Sequence, residues 1–263
     1  MRKILALIIC CLSLWAQAQE VSHTLSLGVG LTNVYEDYLS PLEYTGTEAR
    51  IQRETFRQTH WMDNNVYVQT QLNAHASYGK GPNKSGKMYE GILNWNIGWL
   101  YQWQINDKLT VLAGPMADLN AGVIYNKRNS NNPAQAKAYV NADISGMAFY
   151  RFRMFKRPFR LRYQVSVPIM GVMFSPEYGE SYYEMFELKH GGLHKVCFTT
   201  PFSQPSLRHS LYLDFTLART NMRVGYMGDL QQSSVNRLKS HTYSHAFMVG
   251  VTKNFIISKK PVQ

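Results

Sequence analysis

The stretch VYVQTQLNAHASY, residues 66–78, decides the fold class because it alternates two kinds of side chain with a period of two. One face carries small or apolar groups, and the opposite face is polar or amphipathic at every position. Such alternation is typical of a β-strand between two different environments. A polar face that continues along a whole strand cannot pack into a dry core, so it requires water or a polar lumen. That face consists of Tyr67, Gln69, Gln71, Asn73, His75 and Ser77.

The next stretch, EGILNWNIGWLYQWQI at residues 90–105, repeats the pattern with larger groups. Its apolar row includes three tryptophans, Trp95, Trp99 and Trp103. On a soluble protein this row would form a large exposed apolar patch, whereas aromatic girdles are typical of transmembrane barrels. We therefore predict that the three tryptophans face lipid.

The connections between alternating segments differ in length, and this difference predicts an orientation. Short links lie near residues 62–65, 106–108, 156–158 and 219–221, and longer ones near residues 36–42, 79–87, 127–137, 175–206 and 231–240. Bacterial barrels have short periplasmic turns and longer outer loops. The sequence therefore predicts an all-β fold, a closed antiparallel transmembrane β-barrel of about ten strands with both termini in the periplasm.

Two regions leave the strand number open. Residues 45–60 are polar on both faces, so the second strand is the weakest of the predicted strands. Residues 175–206 are long enough for an extra hairpin or for a short helix near residues 182–188. An extra hairpin would give twelve strands.

The N-terminus predicts export. Arg2 and Lys3 precede an apolar segment that ends in the small residues Ala16 and Ala18, as in a cleaved signal peptide covering residues 1–18. A lipoprotein signal is the alternative, but Ile9 precedes Cys10 where a small residue is needed. Residues 19–263 are then one barrel domain. Cys197 is its single cysteine, so no intramolecular disulfide is expected.

The exported chain is basic, with 26 Lys and Arg residues and 17 Asp and Glu residues once Arg2 and Lys3 are removed, a net charge of +9. Its charges are scattered and its predicted compartment is the cell envelope, so we expect outer-membrane lipid and lipopolysaccharide as partners, and no nucleic acid. A basic rim that contacts lipopolysaccharide phosphates and a merely solvated rim both remain open. The predicted rim residues are Lys80, Lys84, Lys87, Lys127, Arg128, Lys137, Lys189, Lys195, Arg237 and Lys239.

Charged residues in the polar rows are the main candidates for a functional site. Buried carboxylates are costly unless they pair with cations, and a barrel of this size has little interior space. The mixed charges therefore predict either a salt-bridged plug or a narrow pore for a small polar solute. The predicted lumen ion network is Glu90, Asp118, Asp143, Arg151, Arg153, Arg160, Arg162, Asp214, Arg223 and Asp229.

Catalytic arrangements found in outer-membrane barrels are poorly matched. Membrane phospholipases carry a His-x-Ser pair, but His209 and Ser210 are adjacent and so point to opposite faces. A dyad of the protease type would need His75 to face Glu90 or Asp118. We predict no catalytic, cofactor-binding or metal-binding residues and no cofactor, and these patterns favour a non-enzymatic chain.

Two loop segments, YLSPLEYTG at residues 38–46 and SPEYGESYYE at residues 175–184, carry a family resemblance. They resemble segments of uncharacterised outer-membrane β-barrels of Bacteroidetes. The resemblance implies a Gram-negative outer-membrane location and transfers no catalytic residue.

Three hypotheses remain open at this point. The first is a non-enzymatic barrel that is structural, adhesive or a narrow pore. The second is a membrane-embedded hydrolase, a lipase or a protease. The third is a soluble periplasmic β-sandwich, which would have two stacked sheets with open edges.

Overall fold

The computed structural model describes residues 19–257 apart from 131, 183 and 185–194. The predicted signal peptide therefore lies outside the described residues, and so does most of the predicted helix near 182–188. The described chain is almost entirely antiparallel strand. The strands are β1 Gln19–Glu36, β2 Ser40–Gln58, β3 Val66–Lys80, β4 Lys87–Gln104, β5 Leu109–Asn126, β6 Ala134–Met154, β7 Arg157–Phe174, β8 Val196–Thr199, β9 Leu207–Leu217, β10 Thr220–Val235 and β11 Leu238–Ile257.

The strands close into a barrel. Each long strand pairs with its neighbours in the chain, and β1 pairs with β11 over its whole length, from Gln19 opposite Ile257 to Glu36 opposite Ser240. Strand β7 pairs with β6 on one side and with both β8 and β9 on the other. This arrangement confirms the predicted closed antiparallel barrel and excludes two stacked sheets with open edges in the described part of the chain.

Strands β8 and β9 share one position in the wall. β9 pairs with the Phe159–Ser166 part of β7, and β8 pairs with its Gly171–Phe174 part. Residues 200–206 bulge out between the two, with Phe202 almost fully exposed. The described chain thus gives ten wall positions, in agreement with the predicted number.

The two faces of the wall differ as the period of two requires. Trp95, Trp99 and Trp103 lie on the outer surface, where they are 43%, 38% and 46% exposed. Their neighbours Asn94 and Asn96 point inward and are buried. A wall that is apolar outside and polar inside suits a barrel in a bilayer. Apart from β8 and β9, the strands have 15–21 residues and exceed the 9–11 residues needed to span it, while β9 has 11.

Strand β2 forms without interruption from Ser40 to Gln58, although the sequence predicts a strand least clearly at residues 45–60. Its inward row carries Glu48, Arg50, Gln52 and Glu54, all buried. Its outward row keeps polar residues such as Thr47 and Arg53, which hid the alternation. The strand forms because β1 and β3 pair with it along its length and because its charges find partners across the lumen.

Two of the predicted long loops are instead tight turns, so that part of the prediction was wrong. The β1–β2 connection is only residues 37–39, and the β10–β11 connection is only Asn236 and Arg237. The polar residues that suggested loops continue the strands beyond the apolar band. Conversely, one predicted short link is longer than expected. The β2–β3 link, at the end with the shorter turns, extends over residues 59–65.

Three two-residue turns have both central residues in the left-handed region. They are Phe155–Lys156, Ala218–Arg219 and Asn236–Arg237, with φ between 46° and 70°. This geometry matches the right-handed twist of a hairpin and favours Gly, Asn or Asp. Residues such as Phe155 and Lys156 therefore form these turns at a conformational cost.

We expect Lys156→Gly to raise the free energy of unfolding by about 1 kcal/mol, because glycine adopts a positive φ without a Cβ clash. The measurement is urea unfolding in lipid vesicles followed by tryptophan fluorescence. Asp107→Gly is the control, since Asp107 lies in the β4–β5 turn without a positive φ. Equal stability of the two variants would contradict the prediction.

Candidate functional site in the barrel lumen

The lumen near the short turns is crossed by three side chains, which we call the turn-end cluster: Glu54, Arg162 and Arg223. Arg162 donates hydrogen bonds from Nη1 and Nη2 to the two Glu54 oxygens at 2.8 and 2.5 Å. Arg223 Nη1 also donates to Glu54. Glu54 lies on β2 and Arg162 on β7, five strands apart in either direction around the described ring. The contact therefore crosses the full width of the barrel.

Further polar groups surround this cluster. Asp214 accepts hydrogen bonds from Arg223 Nε at 2.7 Å and from Arg160 Nη2 at 2.7 Å. Gln69 and Gln164 exchange hydrogen bonds of 2.7 and 2.9 Å, and Gln69 also donates to Glu54 at 2.7 Å. The carboxylates are thus held by charged donors, which are the stronger hydrogen-bond partners.

A second cluster, the central cluster, lies nearer the middle of the barrel and consists of Glu48, Arg50, Asp118, Arg208 and Asp229. Asp229 accepts from Arg50 at 3.2 Å and from Arg208 at 3.2 Å. Arg208 also donates to Asp118 at 3.4 Å, and Arg50 contacts Glu48 at 3.4 Å. These residues come from β2, β5, β9 and β10, so the cluster again joins distant walls.

Near the other end, polar groups of the lumen are also paired, beside a buried apolar cluster that includes Tyr44, Met88 and Ile124. Glu90 accepts from Thr242 at 2.7 Å and from Ser77 at 3.2 Å, and it lies 3.2 Å from His75 Nε2. Lys137 Nζ donates to Glu36 at 2.9 Å and to Ser240 at 2.8 Å.

The mouth at this end holds a buried lysine. Lys195 lies 2.6 Å from Glu180 and 3.1 Å from Glu177. Burial lowers the pKa of Lys195, but hydrogen bonds to Glu180 and Glu177 outweigh that effect and raise it. Nearby, Tyr38 donates to the Glu180 carbonyl at 2.7 Å, and burial, together with Tyr182 and Glu180, raises the pKa of Tyr38 to about 12. The two ionisable side chains therefore stay protonated.

The predicted lumen network divides among these places. Asp143 is buried in the inward row of β6, but its Oδ1 has no hydrogen-bond partner in the described part of the chain. Arg151 and Arg153 share that row but are exposed in a recess at the short-turn end, outside both clusters. The structure places the others as follows: Arg160, Arg162, Asp214 and Arg223 in or beside the turn-end cluster, Asp118 and Asp229 in the central cluster, and Glu90 near the other mouth.

Sequence reasoning missed four charged residues of the two clusters. Glu48, Arg50 and Glu54 lie on β2, and their even spacing was the available signal, but the polar outward row obscured it. Arg208 continues the inward row of Ser210 and Asp214, two residues before the predicted start of that strand.

The rim prediction also changes. Lys137 and Lys195 point into ion pairs at the mouth and are not part of a solvated rim. Lys80, Lys84, Lys87, Lys127 and Arg237 remain around the mouth, whereas Lys189 lies outside the described residues.

The catalytic arrangements considered above are not assembled in an accessible place. Ser210 is buried and inward-facing, while His209 packs against Tyr226 with ring centroids 5.5 Å apart on the outer face. The His75 and Glu90 side chains do meet, but they are 7% and 1% exposed. Within residues 19–257, where described, no cluster of three metal-ligating side chains occurs and no helix is long and apolar enough to cross a membrane.

Comparison with known proteins gives a family. A protein-family model described as "Protein of unknown function (DUF3316)" matches residues 5–261. No curated protein matches the sequence.

Three solved structures to which this chain is similar are as follows. The translocator domain of the autotransporter NalP from Neisseria meningitidis is 10% identical, with a TM-score of 0.41 and coverage of 96% of this chain and 94% of that chain. The outer membrane protease OmpT from Escherichia coli is 8% identical, with a TM-score of 0.48 and coverage of 90% and 97%. The β domain of the Bordetella autotransporter BrkA is 12% identical, with a TM-score of 0.43 and coverage of 91% and 100%.

Proposed function

Since the chain belongs to the DUF3316 family of proteins of unknown function, we propose its role from the geometry of the lumen alone. It is a non-enzymatic structural barrel of the Gram-negative outer membrane whose interior is closed to free diffusion. The observation that carries this proposal is the contact of Arg162 with Glu54 across the full width of the barrel.

The energetics of the clusters support closure. Opening a path past Arg162 requires separating it from Glu54 while both stay inside the barrel. Breaking a buried pair costs about 3–5 kcal/mol when one charge is left uncompensated. The central cluster forms a second barrier of the same kind further along the axis. Two barriers in series favour a plug over a narrow pore.

The outer surface supports a bilayer location. On β1, Leu25, Leu27, Val29 and Leu31 are each more than half exposed on the outside, and they continue the apolar outer surface formed by the tryptophan row of β4. Exposed apolar area of this extent is stable only against hydrocarbon or a partner. The predicted export signal would carry the chain into the cell envelope, which contains the outer membrane.

The rim suits contact with anionic lipid. Lys80 and Lys87 lie 5.9 and 6.0 Å from the Tyr78 ring centroid, and Lys84 and Lys127 lie at the same mouth. Cations placed near a surface of lipid phosphates gain attraction that decreases with salt. We extend the proposal to lipopolysaccharide phosphates as the partner of this rim.

We expect the wild-type protein to give no steady conductance in planar bilayers, because buried ion pairs cross the lumen in both clusters. The measurement is single-channel recording after reconstitution, with folding verified by altered migration of unboiled protein. Discrete and persistent open steps in the folded wild type would overturn the closed-barrel proposal. Recovery of the protein without detergent in the soluble fraction would overturn the membrane location.

A further inference from the structure

The lumen opens below the turn-end cluster into a recess of about 730 Å³, which we call the turn-end vestibule. The Arg160–Asp214 pair lies on its floor, between the opening and Arg223. Its wall includes Lys108 from the β4–β5 turn and Arg151 and Arg153 from β6. Closure of the lumen by the two clusters does not involve this recess.

The lining of the vestibule carries an excess of positive charge. Lys108, Arg151, Arg153 and Arg160 line it, and Asp214 is the one carboxylate among its described lining residues. Asp214 is already engaged, because Oδ2 accepts from Arg160 at 2.7 Å and Oδ1 from Arg223 at 2.7 Å. Lys108, Arg151 and Arg153 have no ion-pair partner within the described ranges. The wall therefore presents three uncompensated positive charges.

The strand register adds an independent observation. Arg151 on β6 lies directly opposite Arg160 on β7. Like charges at opposed positions of an antiparallel pair destabilise the sheet. The stability of the barrel wall therefore does not explain why the two arginines face each other. An anion between the two guanidinium groups would remove the repulsion. Arg160 keeps 39% of its side chain exposed toward the opening, which leaves it accessible to such an anion.

The size and lining define the class of ligand. Volumes of about 300–1,000 Å³ are typical of small-molecule sites, and the turn-end cluster, which fills the adjoining lumen, excludes a polymer threaded through the barrel. Guanidinium groups match phosphate oxygens in pairs. Thr216, Asn221, Thr252 and Asn254 add neutral polar groups that suit hydroxyls beside a phosphate.

We propose that the turn-end vestibule is a binding site for a small phosphorylated molecule with two or more negative charges. Arg151, Arg153 and Arg160 bind the phosphate oxygens, and Lys108 adds a fourth positive charge at the edge of the site. In a barrel with the predicted orientation, this site faces the periplasm.

The test uses the folded protein in zwitterionic detergent and inorganic pyrophosphate as the probe, with binding measured by calorimetry at two salt concentrations. We expect wild-type binding that weakens with salt. In the Arg151→Gln, Arg153→Gln double variant, affinity should fall about tenfold or more, because two charge-assisted contacts are lost. Lys80→Gln with Lys84→Gln is the control, since it removes the same charge from the opposite mouth.

Absence of pyrophosphate binding to the wild type would overturn the proposal. Equal losses in the vestibule variant and the rim control would overturn it as well, because binding would then follow net charge. A further measurement in nanodiscs of phosphatidylglycerol separates two sources of the phosphate. Displacement of pyrophosphate by this lipid would overturn the proposal of a small multiply charged molecule and identify a lipid headgroup as the ligand, whereas retained binding would support a free phosphorylated molecule.

Discussion

Replacing Glu54 with glutamine is expected to lower the free energy of unfolding of the barrel by about 3–5 kcal/mol. Glu54 is buried and accepts hydrogen bonds from Arg162, Arg223 and Gln69. The amide removes the negative charge and turns two N–H donors toward two guanidinium groups. The arginines would then remain in the lumen without a sufficient counter-charge, and this residual charge is the main source of the cost.

The matched control is Glu43→Gln. Glu43 lies on the same strand, is exposed, and accepts one hydrogen bond from Asn33 at 3.0 Å. A surface change of this kind alters stability by about 0.5 kcal/mol or less. Both variants are compared with the wild type by urea unfolding in lipid vesicles. If Glu54→Gln were no less stable than Glu43→Gln, the turn-end cluster would not be holding the barrel closed.

The second large effect concerns ion conduction. We expect the lumen to open only when both clusters are removed. A variant with Glu54, Arg162 and Arg223 all changed to serine removes the turn-end cluster without leaving its members unpaired. It should remain non-conducting because the central cluster still closes the lumen. The further changes Arg50→Ser and Arg208→Ser should produce discrete conductance steps.

The open variant should also prefer cations. Without Arg50 and Arg208, the middle of the lumen keeps Glu48, Asp118 and Asp229, which become solvated as water enters. Rings of carboxylates select for cations in channels. Single-channel recording in a salt gradient gives the sign of the reversal potential. Conductance in the triple-serine variant alone, or anion preference in the five-fold variant, would contradict the two-barrier interpretation.

The two proposals concern different positions along the barrel axis. The clusters close the middle of the barrel, and the turn-end vestibule lies outside them, so the barrel can bind a small anion without transporting it. The five-fold variant keeps Arg151, Arg153 and Arg160. Pyrophosphate binding at the vestibule is therefore separable from closure of the lumen.

The sequence by itself determined which face a side chain occupies wherever the two rows of a strand differ clearly, which excludes β2 with its polar outward row. The tryptophan row of β4 and the polar row of β3 follow from the period of two, since alternate residues of a strand point to opposite sides. It also determined the closed antiparallel barrel, because a two-faced wall with hydrocarbon outside and charges inside leaves no stable open edge. The alternation is a local property of consecutive residues, and the need for a closed wall follows from it.

Only the tertiary structure decided which charges meet. Arg50 binds Asp229 and Arg162 binds Glu54 through pairs 179 and 108 residues apart in sequence. Alternation gives a side chain its face but not its height along the axis, which depends on strand register, nor the strand that lies across the lumen, which depends on the closure of the ring. Arg151 and Arg153 show the difference: they share a row with buried Asp143, yet they lie past the last cluster, where the lumen opens.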